Sequence, residues 1–323
     1  MQGLIGITRI YLKHAAILLA TGLLFQFAAL HSGAQDKPKR PRITGIDHIR
    51  LYAGNLDKSR EFYRKTIGLP SAGGRCGDSV RSCFAVGFQR VELESAPTPA
   101  PNNQLAEIAF ATNDVTGMHS YLIARGLVVG ALSKGPKDAR HFELHDPEGN
   151  LIAFVQRWFP IVEPPINPPA SHTLSTHLIH AGFVVKDVAA ENRFYVDLLG
   201  FKLYWYGGMK DDGVDWYELQ VPDGDNWIEY MLNVPATADH KQLGAQNHFS
   251  FGVKEIQAAA EQLRKNGVEK IFGPGIGRDG ERGLNIYDPD DTRVEVTEFT
   301  PAQKPCCHPY TAPHPNMAPH PTP

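Results

Sequence analysis

Cysteine is scarce: four residues among 323, confined to Cys76 with Cys83 and the adjacent pair Cys306–Cys307. In an oxidising compartment a Cys76–Cys83 disulfide would close one short loop, and two unpaired thiols are the alternative. A large excess of charge of either sign is lacking as well. The 32 basic and 35 acidic residues give a formal net charge of −3, with no concentrated basic run beyond Lys37–Arg42. That balance excludes a dedicated nucleic-acid binder. Nor does any apolar run reach the length of a full membrane span. The nearest, Ala15 to Leu30, follows Arg9 and Lys13 and precedes Ser32-Gly33-Ala34. A cationic start, an apolar stretch and a small-residue cleavage site outline a secretory signal peptide over residues 1–34. Its removal predicts a protein exported to the periplasm or the cell exterior, with no stable membrane span remaining. An uncleaved anchor is the alternative.

What is present is ordinary in amount but ordered in pattern. Hydrophobic content of 42% and charged content of 21% suit a soluble globular chain, and 323 residues allow two domains with sizeable cores. The stretch Asn247–Val253 alternates Phe249, Phe251 and Val253 with His248, Ser250 and Gly252, the period-2 pattern of a half-buried strand. One face is apolar; the other is small except for the imidazole. An alanine-rich helix from Glu255 to Gly267 follows, then an Asp288-Pro289 turn and the strand Arg293–Thr297.

This unit occurs four times. The others open at Ile46–Tyr52, Ala106–Thr112 and Leu178–Val185, with helices at Asn55–Gly68, Asp114–Gly126 and Asp187–Gly200. They close at Arg90–Glu94, Leu151–Phe154 and Trp227–Met231. His48 and His180, Phe62-Tyr63 and Phe194-Tyr195, and Gly68 and Gly200 are each 132 residues apart. Such a register marks an internal duplication and an α+β fold of four strand–helix–hairpin–strand modules. Module pairs should share a cleft, because a lone copy leaves its polar sheet face and its edges uncovered. The pattern divides the chain into a linker (35–42), an N-terminal domain (43–159), a proline-rich linker (160–175), a C-terminal domain (176–300) and a disordered Pro/His-rich tail (301–323).

Strand parity places His180, Glu229, His248 and Glu295 on one polar face of the C-terminal half. Two imidazoles and two carboxylates are costly to bury unpaired, and a divalent metal satisfies them. The donor types suit Fe, Mn, Ni or Zn rather than Ca or Mg. A lone strand histidine is commonly structural, but the shared register of all four favours the metal site.

The opening-strand histidines, the Phe-Tyr helices ending in Gly68-Leu69 and Gly200-Phe201, and the Asp-Pro turns resemble the vicinal oxygen chelate superfamily over about residues 43 to 300. That superfamily includes glyoxalase I, bleomycin- and fosfomycin-resistance proteins and extradiol dioxygenases. The resemblance implies paired βαβββ modules and one divalent metal ion, chelated by a small-molecule substrate through adjacent oxygens. His180, Glu229, His248 and Glu295 match the His/Glu/His/Glu set of glyoxalase I-like members. The extradiol triad would be His180, His248 and Glu295. Against that triad stand the surplus Glu229 and the absence of the histidine that the extradiol signature places upstream of Tyr287-Asp288-Pro289.

In the N-terminal half His48 and Glu92 hold ligand positions, but Glu107 replaces the second histidine and Ala153 the closing glutamate. One imidazole among carboxylates is a poor transition-metal site, so this half is expected to be structural or substrate-shaping, with Arg50, Tyr52 and Arg90 in its cleft. The expected activity is that of a metal-dependent lyase, isomerase or ring-cleaving dioxygenase, with Glu229 or Glu295 moving the proton. Export argues against glutathione-dependent glyoxalase chemistry itself. The competing reading is a non-catalytic sequestering protein of the bleomycin-resistance type.

Overall fold

The helices of the first three modules start on a side-chain cap. Asn55 accepts from the Lys58 amide ahead of α1 (Leu56–Glu61), Asp114 from Gly117 ahead of α2 (Val115–Ile123), and Asp187 from Ala190 ahead of α3 (Val188–Asn192). These caps satisfy amide donors that the first helical turn leaves unpaired. A linking helix, α4 (His240–Gln246), has a full capping box on Asp239. In the fourth module α5 (Ile256–Lys265) lacks a capping side chain of its own; Glu298 accepts from the Ile256 amide at 2.9 Å instead. The repeat is visible at backbone level. α1 and α3 each continue as a π-helical turn, Phe62–Thr66 and Arg193–Leu198, and end on Gly68 and Gly200 with φ of +78° and +79°. A Cβ at Gly68 would lie 2.3 Å from the His172 carbonyl oxygen, so position as well as conformation requires glycine there.

This computed structural model describes residues 38–72, 81–134, 139–157 and 172–315. The expected signal segment, Cys76 and the prolines from Pro160 to Pro169 lie outside the described residues. Cys83 is disulfide-bonded and no described cysteine is free. Among the described residues no helix is long and apolar enough to cross a membrane.

The strands form two mixed sheets. In the N-terminal sheet β1 (Ile43–Ala53), β2 (Ser82–Val86), β3 (Gln89–Ser95), β4 (Leu105–Thr112), β5 (Ser133–Lys134), β6 (Arg140–His145) and β7 (Leu151–Gln156) run in the order β2-β3-β1-β4-β7-β6-β5. The C-terminal sheet comprises β8 (Leu178–Val184), β9 (Lys202–Gly207), β10 (Trp216–Gln220), β11 (Trp227–Met231), β12 (His248–Val253), β13 (Phe272–Ile276), β14 (Arg282–Tyr287) and β15 (Arg293–Glu298). Its order is β13-β14-β15-β12-β8-β11-β10-β9. Opening strands meet antiparallel at the centre of each sheet, β1 on β4 and β8 on β12, and each closing strand lies parallel to its own opening strand. This is the α+β architecture of four βαβββ modules that the repeat implies, the first showing three of its four strands among the described residues.

The halves do not keep separate cores. One continuous apolar cluster runs from Ile43 to Val296 through both sheets. Tyr63, from the first module, stacks on Phe249 of the fourth and donates its hydroxyl to Asp288 at 2.9 Å. Symmetrically, Tyr195 of the third module packs on Phe110 of the second and donates to Asp146 at 3.1 Å. Both Asp residues open the Asp-Pro turns of the sequence pattern.

The tail departs from expectation. Pro301 onward was to be disordered, yet residues 301–315 are seated on the C-terminal sheet. The Ala302 amide donates to Gly280 and the Cys306 amide to Arg278, beside β13 and β14; the Thr311 amide then donates to Tyr204 on β9. Cys306 and Cys307 are joined to each other. This strap therefore runs from the turn between β13 and β14 to the edge strand β9. Proline and histidine do not preclude order when unpaired strand edges and exposed aromatic rings offer partners.

Candidate functional site

Strand register brings the sequence candidates together. Ser250 of β12 lies opposite His180 on one side and Glu295 on the other. Gly182 lies opposite both His248 and Glu229. The four side chains thus occupy two neighbouring rows across β11, β8, β12 and β15. His248 is fully buried and His180 is 5% exposed.

Three ligand atoms form a nearly equilateral triangle. His180 Nε2 lies 3.2 Å from His248 Nε2, and Glu295 Oε2 lies 3.3 Å from each. Donors held about 2.1 Å from one ion at roughly right angles lie about 3 Å apart, so the triangle fits one transition metal. Glu229 Oε2 reaches His248 Nε2 at 3.2 Å but stands outside the mutually close set of His180, His248 and Glu295. The donor chemistry also fits a cation. His248 Nδ1 lies 2.9 Å from the Gln246 carbonyl, which only an N–H can satisfy, so Nε2 carries the lone pair. That lone pair faces another imidazole and two carboxylates.

The electrostatics are those of a crowded acidic pocket with one guanidinium. Arg293, absent from the sequence candidates, places Nη2 at 2.6 Å from His248 Nε2. Burial alone would raise the Glu295 carboxyl, but the Arg293 charge and bonds to both imidazoles hold it well below the ordinary range. His248 moves upward: burial and Arg293 oppose its protonation, and hydrogen bonding to Glu229 and Glu295 outweighs them. Glu218, Asp279 and Glu281 were also missed. Burial, then mutual repulsion, lifts Glu218 and Glu281 well above normal, and burial lifts Asp279 to about 7. Arg293 was legible in principle, being two residues before Glu295 on the same strand face. Asp279 and Glu281, at the edge of a strand, carry no sequence signal.

Gly182 determines whether the site exists. A Cβ there would lie 2.1 Å from Cε1 of His248, far inside van der Waals contact. The equivalent residue in the N-terminal half is Arg50, opposite both Glu107 and Glu92. Its guanidinium bonds Glu107, the residue at the His248 position. His48 lies between Asp47 at 2.6 Å and Glu107 at 2.9 Å. Arg90 pairs with Glu92 at 2.7 Å, and Arg157 holds Asp47 through two bonds. A register shift between Ile46 and His48 lets the adjacent Asp47 and His48 point the same way. Burial disfavours the charged His48 ring, yet Glu92, Asp47 and Glu107 together raise it to about 10. This half pairs its carboxylates with its own cations.

The sequence profile of the Glyoxalase/Bleomycin resistance protein/Dioxygenase superfamily matches residues 45–154 and again 177–296. The chain belongs to this superfamily. Solved structures similar to this member include homoprotocatechuate 2,3-dioxygenase of Brevibacterium fuscum in complex with 3,4-dihydroxyphenylacetate. That pair has 20% identity and a TM-score of 0.59, covering 80% of this chain and 82% of the other. The enzyme of the same name from Arthrobacter globiformis gives 19% and 0.60, with 80% of each chain covered. An extradiol ring-cleaving dioxygenase from B. fuscum gives 21% and 0.61, over 80% and 73%. At these identities the likeness establishes the fold. Comparison with curated proteins yields no match.

Proposed function

We propose that this superfamily member is an exported, divalent-metal-dependent enzyme that cleaves a small catechol-type ring, with His180, His248 and Glu295 as the metal ligands. The observation that carries the reading is the triangle of 3.2, 3.3 and 3.3 Å among their ligand atoms, with Glu229 left outside it. Two histidines and one carboxylate on one face are the ligand set of non-haem Fe(II) oxygenases. When bound, the metal supplies Lewis acidity and open positions for a substrate with two adjacent oxygens. Glu295 stays ionised beside Arg293, and the Gln246 carbonyl keeps His248 in the tautomer that offers Nε2. Glu229, free of the triad, accepts the proton of a substrate hydroxyl. Burial lifts the Glu218 and Glu281 carboxyls well above their ordinary range, which lessens the negative charge they add to the pocket.

The contact of Glu229 with His248 at 3.2 Å favours a second reading. In it Glu229 is a fourth ligand and the reaction is a redox-neutral isomerisation or elimination. A non-catalytic sequestering protein is the remaining alternative. Purified protein should hold one Fe, Mn, Ni or Zn per chain, and Fe(II)-loaded protein should consume oxygen with catechols and stop when a chelator strips the metal. Metal-loaded protein that turns over catechols without oxygen uptake overturns the dioxygenase reading. Metal-free protein that still binds them overturns the enzyme. Loss of metal in Glu229→Ala supports the four-ligand site.

A further inference from the structure

The two histidines of the triad are held in different ways. His248 is oriented by its Nδ1 bond to the Gln246 carbonyl. His180 Nδ1 is buried with no hydrogen-bond partner. Away from the Nε2 contacts its ring is therefore held by packing, and a packing partner is Trp227, with centroids 5.0 Å apart. Trp227 Nε1 is also buried without a partner, so a hydrogen bond does not fix that ring either. Tyr204 packs against Trp227 at 5.3 Å, and Tyr310 of the C-terminal strap packs against Tyr204 at 4.7 Å. Around this column Tyr204 Oη meets His314 Nδ1 at 2.5 Å, the Thr311 amide donates to Tyr204, and Ile179, Phe299 and Ala312 pack alongside. The strap itself is held at its other end by the Cys306 amide on Arg278 and by His308 stacked on Tyr206 at 3.6 Å.

We propose that Tyr310 is a positioning residue of the metal centre, acting through Tyr204 and Trp227 to fix the imidazole of His180. This rests on His180 being a ligand. Partners that orient a ligating imidazole are worth about 10- to 100-fold in metal affinity; packing replaces the hydrogen bond here, so the lower end is expected. The aromatic ring carries the effect, and the hydroxyl, 3.4 Å from Glu281 Oε1, does not.

The test uses the full chain loaded with Co(II), with affinity measured by chelator competition and the ligand field read from the visible absorption bands. Tyr310→Ala should weaken Co(II) binding about tenfold and shift the bands, whereas Tyr310→Phe should match wild type in both. If Tyr310→Ala does not fold, Tyr310→Leu, which keeps apolar bulk without a flat ring, serves in its place. Unchanged affinity and bands in the Ala or Leu variant overturn the proposal, as does a Phe variant as impaired as Ala. His180→Ala separates the two levels of inference. Loss of Co(II) in that variant keeps the ligand assignment even where Tyr310 proves silent, and retention of Co(II) sinks both.

Discussion

The two sheets pose one problem and solve it twice. Each gathers a buried imidazole and several carboxylates where two opening strands meet. The N-terminal sheet neutralises them with Arg50, Arg90 and Arg157. The C-terminal sheet puts glycine at the Arg50 position and histidine at the Glu107 position, leaving lone pairs facing one another. Buried charge must be paired; the N-terminal sheet pairs its carboxylates with three guanidinium groups of its own, whereas the C-terminal sheet sets Arg293 alone beside a donor set able to take a cation. Duplication of a fold therefore preserves the cleft without preserving its chemistry.

The largest expected effect breaks the contrast from the metal side. His248→Ala removes one of the three proposed ligands and should lower metal affinity by more than about a hundredfold, measured as metal content after dialysis. Wild-type content in that variant would eliminate the triad. Gly182→Arg copies the N-terminal solution into the C-terminal sheet. It should abolish stoichiometric metal binding while leaving far-ultraviolet circular dichroism unchanged, and a metal-replete variant would show that the close approach of Gly182 to His248 is unimportant.

The pH dependence sharpens the other side. His48 has a folded pKa of about 10 against an ordinary 6.5. A raised value stabilises the fold fully below pH 6.5, and the contribution is lost as pH rises through about 10. Relative to His48→Gln, wild type should lose several degrees of melting temperature between pH 7 and 10; parallel curves would mean that His48 is not the protonated partner of Asp47 and Glu107. The smallest effect tests the symmetry. Tyr63→Phe and Tyr195→Phe each remove one hydroxyl bond to a buried carboxyl, at about 1–2 kcal/mol, and should cost similar stability in denaturant titrations. A twofold disparity would show that the interlock is lopsided.

Much of the site was legible because strand side chains alternate. A glutamate between Ile228 and Tyr230 or between Val294 and Val296 must face away from the core, so parity alone placed Glu229 and Glu295 with the histidines. Parity could not rank them, because the triangle depends on how far each backbone row sits from its neighbour. Arg293, on the same face, was overlooked because a long cation two residues from a glutamate looks like a solvated pair. Glu218 and Glu281 were invisible for a different reason: a carboxyl kept neutral by burial has no distinctive spacing. The tail was misjudged because composition reports what a segment cannot bury by itself, not what a neighbouring edge can offer it.

From the chain alone came the duplication, the module order and the residues able to hold a metal, since period, spacing and donor chemistry are local properties. Three matters were decided only in three dimensions: which half fills its cleft with arginine, how Tyr63 and Tyr195 lock the halves into one core, and why a proline-rich segment lies ordered on the C-terminal sheet. Each depends on contacts between residues that distant parts of the sequence bring within a few ångströms, and no local pattern encodes those distances.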